Sequence, residues 1–145
     1  MKITFETPKV DEEDEIIVKC RKLDKNVISL LQLLESESTT LSGYINNNIA
    51  IFSYSDVYYF EAVENHVYAY CSSDVYEVKY KLYELEENCK NMDFIRCSKS
   101  LIVNISKIKF LSPILNGRLE ALLKNDEKII ISRQYVPELR RKLGI

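Results

Sequence analysis

From Leu41 onward, the chain is divided into short apolar segments by residues that favour tight turns. Asn, Ser, Asp and Gly are concentrated at the interruptions, and Tyr, Phe, Val and Ile are concentrated between them. Segments of this length bounded by such residues are typical of strands joined by short connections. The pattern therefore predicts an α+β domain that is mainly β, built from short antiparallel strands.

The individual elements of this domain follow from the same pattern. Two short helices are predicted at 81–88, with Leu82 and Leu85 inward, and at 135–143, with Pro137 in the first turn, where proline is tolerated. A hairpin tip is predicted at 46–48, and further turns at 64–65, 72–74, 116–117 and 125–126. The predicted strands are 57–62, 67–71, 75–78, 101–104, 108–111, 119–123 and 128–131.

The first 40 residues have a different character. Residues 2–7 alternate like a short strand, with Ile3 and Phe5 on one side. An acidic run at 11–15 suits a helix N-terminus, and an apolar stripe at helical spacing follows. We therefore predict an N-terminal strand and an amphipathic helix, ending at the polar stretch 36–40. The stripe consists of residues 17, 20, 23, 27, 30, 31 and 34.

This stripe has two interpretations that the sequence leaves open. The helix either packs on its own domain or provides a near-heptad surface for dimerisation or for docking a partner. In both cases the sequence divides into an N-terminal extension, residues 1–40, and a β domain, residues 41–145.

Composition argues against an enzyme. The single histidine, His66, would have to serve any Ser-His or Cys-His pair, and no nucleophile motif is present. Three glycines are too few for a phosphate-binding loop. The four cysteines contain no Cys-x-x-Cys and cannot complete a zinc site with one histidine. We expect no catalytic residue, no cofactor and no metal, and we expect reduced thiols in a cytoplasmic protein.

Two further features of the sequence fit a cytoplasmic location. Residues 1–10 are charged and interrupted by Pro8, which is unlike a signal peptide. No apolar stretch reaches the roughly 20 residues that a membrane-spanning helix needs.

The net charge of −2 conceals a strong gradient along the chain. Residues 1–94 hold 9 Lys or Arg and 18 Asp or Glu, a net charge of −9. Residues 95–145 hold 11 and 4, a net charge of +7. A basic block on an acidic body indicates a polyanionic partner.

Many of the basic residues fall in predicted loops and at the ends of strands, where binding residues are common. Arg and Lys can bond guanine edges and phosphates, and Asn and Gln can bond adenine. No basic recognition helix of the helix-turn-helix type is evident.

The stretch 94–104, Phe-Ile-Arg-Cys-Ser-Lys-Ser-Leu-Ile-Val-Asn, resembles the signature of LytTR-type DNA-binding domains. Further segments resemble that family in the same order, so that the resemblance covers about residues 41–143. The whole chain resembles the short subgroup that has no receiver domain. The further segments are 57–62, 65–67, the Leu-Tyr-Glu-Leu-Glu helix at 82–86, Asn-Gly-Arg at 116–118 and Ile-Ser-Arg-Gln-Tyr at 131–135.

The resemblance implies an elongated antiparallel β fold whose loops enter successive major grooves of DNA. Lys99 corresponds to the position best placed to reach a base. At the position of Ser98 the family often has His or Asn, and at the position of Gln134 it often has a second Arg. A Gln at the latter position could read adenine rather than guanine. The implied DNA-contacting residues are Asn65 and His66 in a first loop, Arg96, Ser98 and Lys99 in a second, Ser132, Arg133 and Gln134 in a third, and Asn116 and Arg118 in the central turn.

Simpler interpretations exist for several of these residues. Arg96 could be a surface residue of a strand, and His66 could be a loop residue with no titration role. The turn at Asn116 could serve only to reverse the direction of the chain. In that case Arg118 alone would contact phosphate there. Ser100 and Asn104 are expected to satisfy backbone groups rather than to touch DNA.

The resulting hypothesis is a bacterial transcriptional regulator that binds double-stranded DNA sequence-specifically, as a homodimer on repeated half-sites. The resemblance also implies a small integral-membrane protein as a regulatory partner. The alternative is a protein-interaction adaptor that docks through its β body and never binds DNA.

Overall fold

The computed structural model describes residues 2, 4–12, 15–35 and 40–145. Its contacts divide the chain into two units, residues 1–37 and 38–145, and each unit is described by itself. No helix in the described ranges is long and apolar enough to cross a membrane.

The N-terminal unit, residues 1–37, contains one helix in its described part, α1 (Lys25–Glu35). The helix begins after Asp24, whose carboxylate accepts a hydrogen bond from the backbone N–H of Val27 at 3.0 Å. Such a cap starts a helix at that point. The prediction of a helix reaching back to the acidic run at 11–15 was therefore wrong.

The residues just before this helix explain its late start. Ile16, Ile17 and Val18 are β-branched and disfavour helix, and the structure leaves 15–20 without regular structure. Ile16 and Ile17 are exposed, as is Leu23. The side chain of Leu34, at the end of the predicted stripe, lies outside the described residues, as do 13, 14 and most of the predicted boundary at 36–40.

The predicted strand at 2–7 is not formed by residues 2 and 4–7. Ile3 lies outside the described residues. A single short strand has no ladder of hydrogen bonds to stabilise it, and Pro8 follows immediately.

The second unit consists of two antiparallel sheets and two short helices. The larger sheet has the strand order β2-β1-β5-β4-β3-β7-β6, and the smaller one has the order β10-β9-β8. The helices are α2 (Leu82–Asn88), before β6, and α3 (Val136–Leu143), after β10. The strands are β1 (Thr40–Ile45), β2 (Asn48–Ser53), β3 (Val57–Val63), β4 (His66–Cys71), β5 (Val75–Val78), β6 (Phe94–Ser98), β7 (Leu101–Asn104), β8 (Ile108–Pro113), β9 (Leu119–Leu123) and β10 (Lys128–Ile131).

The predicted mainly β fold is confirmed, and the hairpin turns agree with the sequence pattern. Asn46 and Asn47 between β1 and β2 have φ values of 49° and 65°, and Glu64 and Asn65 between β3 and β4 have 50° and 68°. Two consecutive residues with positive φ match the twist of a two-residue hairpin, and asparagine tolerates this conformation better than most residues.

The strands β3, β7 and β6 are buried on both faces. Alternate residues along each strand point to opposite sides, so each strand contributes to two separate cores. One core includes α2, and the other includes the smaller sheet and α3. The first contains Phe60, Phe94, Ile102, Leu82 and Leu85, and the second contains Tyr59, Ile95, Cys97, Val103, Leu119, Leu123, Ile131 and Leu139.

Strand β6 was not predicted as a strand. Phe94 and Ile95 are neighbours in sequence and both are buried, because each faces a different core. A strand buried on both faces does not alternate between apolar and polar residues, so the usual period-two signal is absent.

Asn104 at the end of β7 is the one buried residue with an amide or charged side chain among the described residues, at 2% exposure. Its Nδ2 donates to the Val57 carbonyl at 2.8 Å. Its Oδ1 accepts from the backbone N–H of Ser106 at 3.0 Å and from the Ser106 hydroxyl at 2.7 Å. Asn104 thus joins β7, the start of β3 and the turn into β8, in agreement with its predicted structural role.

Replacing Asn104 by alanine should lower the free energy of unfolding by about 2–3 kcal/mol, because buried partners lose their hydrogen bonds. Urea denaturation measures the change. Asn91→Ala is the matched control, since Asn91 is exposed and its loss should cost no more than about 0.5 kcal/mol. Equal losses for the two variants would contradict this role of Asn104.

Candidate nucleic-acid interface

Three short-range contacts place four loops side by side at one end of the second unit. The backbone N–H of Ala62 donates to the Ser100 carbonyl at 2.8 Å, which joins the β3–β4 turn to the β6–β7 turn. The N–H of Ser132 donates to the Cys97 carbonyl at 2.8 Å, which adds the segment after β10. We call residues 64–66, 98–100, 115–118 and 132–134 the loop row.

The third contact involves Gly117, whose φ is +73°. A Cβ at this position would lie 3.2 Å from Cγ and Cδ of Arg133. The absence of a side chain therefore lets Arg133 pack against the 115–118 turn. With this contact, the structure brings together nine of the ten residues predicted to contact DNA in the loop row, and Arg96 lies just before it.

The first loop is exposed. Glu64 and Asn65 form the turn itself, and His66 begins β4. The Nδ1 atom of His66 donates to Oε1 of Glu77 at 2.8 Å, and Nζ of Lys79 lies 3.2 Å from the same oxygen. The hydrogen bond from His66, followed by that from Lys79, lowers the pKa of the Glu77 carboxyl. His66 is thus oriented by a carboxylate on the neighbouring strand.

Glu64 was predicted only as part of the turn at 64–65, and its charge was not weighed when the DNA contacts were predicted. Its carboxylate is exposed next to residues predicted to approach phosphates. A negative charge there opposes binding of any polyanion, so this end of the loop row is less favourable to DNA than the end with Arg133.

The second loop is tightly organised. The pairing of β6 with β7 shifts register between Arg96 and Ser98, and only Lys99 and Ser100 connect the two strands. The Ser98 hydroxyl accepts a hydrogen bond from the backbone N–H of Ser100 at 3.2 Å. Lys99 is exposed at the tip. Ser98 therefore shapes the turn from which Lys99 projects.

Arg96 is directed into the protein, unlike Lys99. Its side chain is 18% exposed and its guanidinium bonds to the Ser98 and Lys99 carbonyls and to Glu86 on α2. Glu86 is a partner that sequence reasoning missed, because nothing in the sequence relates this helix position to β6.

The third loop begins at Ser132, which is half-buried and whose carbonyl accepts from the N–H of Tyr135 at 2.9 Å. Arg133 and Gln134 follow in a single 3₁₀ turn and are exposed. In the adjacent turn, Asn116 is exposed with φ 65°, and Nε of Arg118 donates to the Leu115 carbonyl at 3.1 Å.

The basic block of residues 95–145 is not confined to the loop row. Lys107, Lys109, Lys124 and Lys128 lie at or near the opposite ends of β8, β9 and β10. Carboxylates share that end, for example Asp126 in the turn before β10. The exposed Lys99, the half-exposed Arg118 and the exposed Arg133 are the cations of this block that the loop row contains.

No group of three or more His, Cys, Asp or Glu side chains in the described part of the chain could hold a metal ion. The four cysteines are free. Burial raises the pKa of Cys89 and of Cys97 to about 12, so these two thiols are protonated at neutral pH.

Cations on short loops of a β scaffold are an arrangement that suits a polyanionic ligand. The chain belongs to the LytTR family, since the family model of the LytTr DNA-binding domain matches residues 47–144. The fold is also similar to the LytTr DNA-binding domain of a Bacillus cereus protein. That similarity has a TM-score of 0.71 and 27% identity, and it covers 74% of this chain and 99% of the other.

Relatives that align with this chain over nearly their whole length occur in Staphylococcus aureus. A protein of strain NCTC 8325, named as an HTH-type transcriptional regulator, is 34% identical over 137 residues, which cover 93% of this chain and 92% of the relative. A protein of strain MSSA476 with the same kind of name is 33% identical over 147 aligned residues, which cover 100% and 99%.

The words "HTH-type" in those names do not describe this fold. Among the described residues, five strands separate α1 from α2, and five more separate α2 from α3. No two α-helices follow each other along the described chain, as a helix-turn-helix requires.

Replacing Gly117 by alanine should weaken DNA binding, because the new Cβ displaces Arg133. Gly144→Ala is the matched control, since Gly144 has a similar φ of +69° and nothing within 4 Å of its added Cβ. Both variants should lose about 1 kcal/mol of stability from backbone strain, measured by urea denaturation. Fluorescence anisotropy with a labelled duplex should show weaker binding for Gly117→Ala alone. Equal affinities would contradict the role of the Gly117–Arg133 contact.

Proposed function

We propose that this protein is a bacterial transcriptional regulator that binds double-stranded DNA sequence-specifically through the loop row. The observation that carries the proposal is the continuity of this surface. Lys99, Arg133 and Arg118 stand on loops that are joined by backbone hydrogen bonds and by the Gly117–Arg133 contact. The named activity of the Staphylococcus aureus relatives supports the regulatory role.

Affinity and sequence preference have separate sources in this proposal. Contacts between cations and phosphates supply salt-dependent affinity and fix the orientation of the protein. Lys99 and Arg133 then reach guanine edges, and Gln134 reads adenine. Asn65, His66, Asn116 and Ser132 complete the surface, and successive loops enter successive major grooves.

Repeated half-sites and dimerisation extend the proposal to the N-terminal unit. The exposed Ile16, Ile17 and Leu23 there are available for a second copy or for a small integral-membrane regulatory partner. Because chromosomal DNA is the ligand, we propose that the protein acts in the bacterial cytoplasm.

Charge reversal tests the DNA-binding surface. Lys99→Glu and Arg133→Glu should each abolish binding to a labelled duplex selected by the wild-type protein from a random-sequence library. The reason is that each variant replaces an attraction to phosphate or base with a repulsion. Binding is measured by anisotropy at several salt concentrations, and circular dichroism verifies the fold.

Lys124→Glu provides the control, because it makes the same charge change at the opposite end of β9. It should bind nearly as well as the wild type. Equal effects of the three substitutions would argue that only net charge matters. A wild-type protein that enriches no duplex and shows no salt-dependent affinity would favour the protein-interaction adaptor.

Removing residues 1–38 tests the role of the N-terminal unit. The solved Bacillus cereus domain matches 74% of this chain and 99% of its own, which supports independent folding of the remaining part. The truncated protein should bind a single half-site but should lose dimerisation, measured by analytical ultracentrifugation, and cooperative binding to two half-sites. A truncated chain that still dimerises would place the dimer interface in the β domain.

A further inference from the structure

All three guanidinium nitrogens of Arg96 donate hydrogen bonds within the protein. Its Nε donates to the Ser98 carbonyl at 2.7 Å and its Nη2 to the Lys99 carbonyl. Its Nη1 donates to Oε2 of Glu86 at 2.9 Å. A planar guanidinium presents its donors in a fixed fork, so three acceptors on two segments hold it in a single orientation.

These acceptors identify what the arginine does. Two of them are the carbonyls that precede and follow the amide nitrogen of Lys99, so the guanidinium fixes the backbone from which the Lys99 side chain projects. The third acceptor, Glu86, belongs to α2, which is anchored in the first core by Leu82 and Leu85. The loop is thereby tied to a packed helix and not only to its own hairpin.

For Arg96 to turn its guanidinium fork toward DNA and bond a base edge or phosphate with it, these bonds would have to break. The guanidinium would have to leave two carbonyls and a carboxylate, and the carbonyls would lose charge-assisted hydrogen bonds. Glu86 would then remain as an uncompensated negative charge next to a polyanion. The low exposure of the Arg96 side chain, 18%, agrees with an internal role, while its partner Glu86 is 51% exposed at the surface of α2.

The geometry points to a clamp in which Glu86 and Arg96 position Lys99 for DNA, with Arg96 acting as a positioning residue rather than a DNA contact. This inference rests on the proposed function and assigns a role in it to α2, a helix that does not itself belong to the loop row. Glu86, a negatively charged residue, thus favours binding to a negatively charged ligand.

Because the clamp predicts that removing a negative charge weakens DNA binding, substitution of Glu86 is the most discriminating test. Glu86→Ala should weaken binding to the library-selected duplex roughly three- to tenfold, because Arg96 loses its anchor and the Lys99 loop loosens. Simple electrostatics predicts the opposite, since removing a carboxylate near a polyanion should strengthen binding. Glu87→Ala is the matched control, because Glu87 lies on the same helix, carries the same charge and is paired with Lys90 at 2.6 Å instead.

A double-mutant cycle with Lys99 separates positioning from a general loss of structure. Arg96→Lys should weaken binding about tenfold in the wild type, because an ammonium cannot form the three-way fork. In a Lys99→Ala background the same substitution should have almost no effect, because its target is gone. A direct DNA contact, or a purely structural role, predicts additive effects.

The possible results distinguish failure of the clamp from failure of the proposed function. Weaker binding by Glu86→Ala but not by Glu87→Ala, together with a non-additive cycle, supports the clamp. If Glu86→Ala binds as well as Glu87→Ala or more tightly, or if the cycle is additive, the clamp is refuted while DNA binding stands. If the wild-type protein itself shows no salt-dependent affinity for duplex DNA, the proposed function fails instead.

Discussion

Burial of β3, β7 and β6 on both faces is the constraint on which the rest of the second unit depends. Because each strand contributes side chains to two cores, α2 and the smaller sheet with α3 are fixed against the same three strands from opposite sides. The turns at the ends of these strands inherit that order. The loop row is therefore a product of core packing, since its position depends on residues such as Phe60 and Val103, which are fully buried and lie outside it.

The parts of the fold that the sequence predicts are those encoded locally. The turns predicted at 46–48 and 64–65 combine asparagine with short flanking apolar runs, and the structure forms them as two-residue hairpins at 46–47 and 64–65. The helix at 82–88 follows from the spacing of its leucines. The family resemblance covers the segments from which the loops of the site are built, and nine of the ten predicted contact residues lie in the loop row.

The parts that could not be predicted depend on contacts between distant segments. Strand β6 lacks alternation because both of its faces are buried, and α1 starts late because the Asp24 cap prevails over a longer apolar stripe. Arginine is a residue type that often contacts DNA. The side chain of Arg96 instead bonds to Glu86, ten residues earlier in the sequence. The packing of Arg133 on Gly117 likewise joins two turns that are separated by β9 and β10.

Two hairpin turns of the loop row, 64–65 and 99–100, are only two residues long, and backbone hydrogen bonds connect their strands to neighbouring segments in the free protein. The conformational entropy of ordering them is consequently lost when the chain folds, and not when it meets its ligand. A domain built in this way approaches the double helix as a rigid body. In the proposed complex, any adjustment of shape then falls on the DNA, so the stiffness and groove width of the duplex would contribute to its recognition, even at base pairs that no side chain touches.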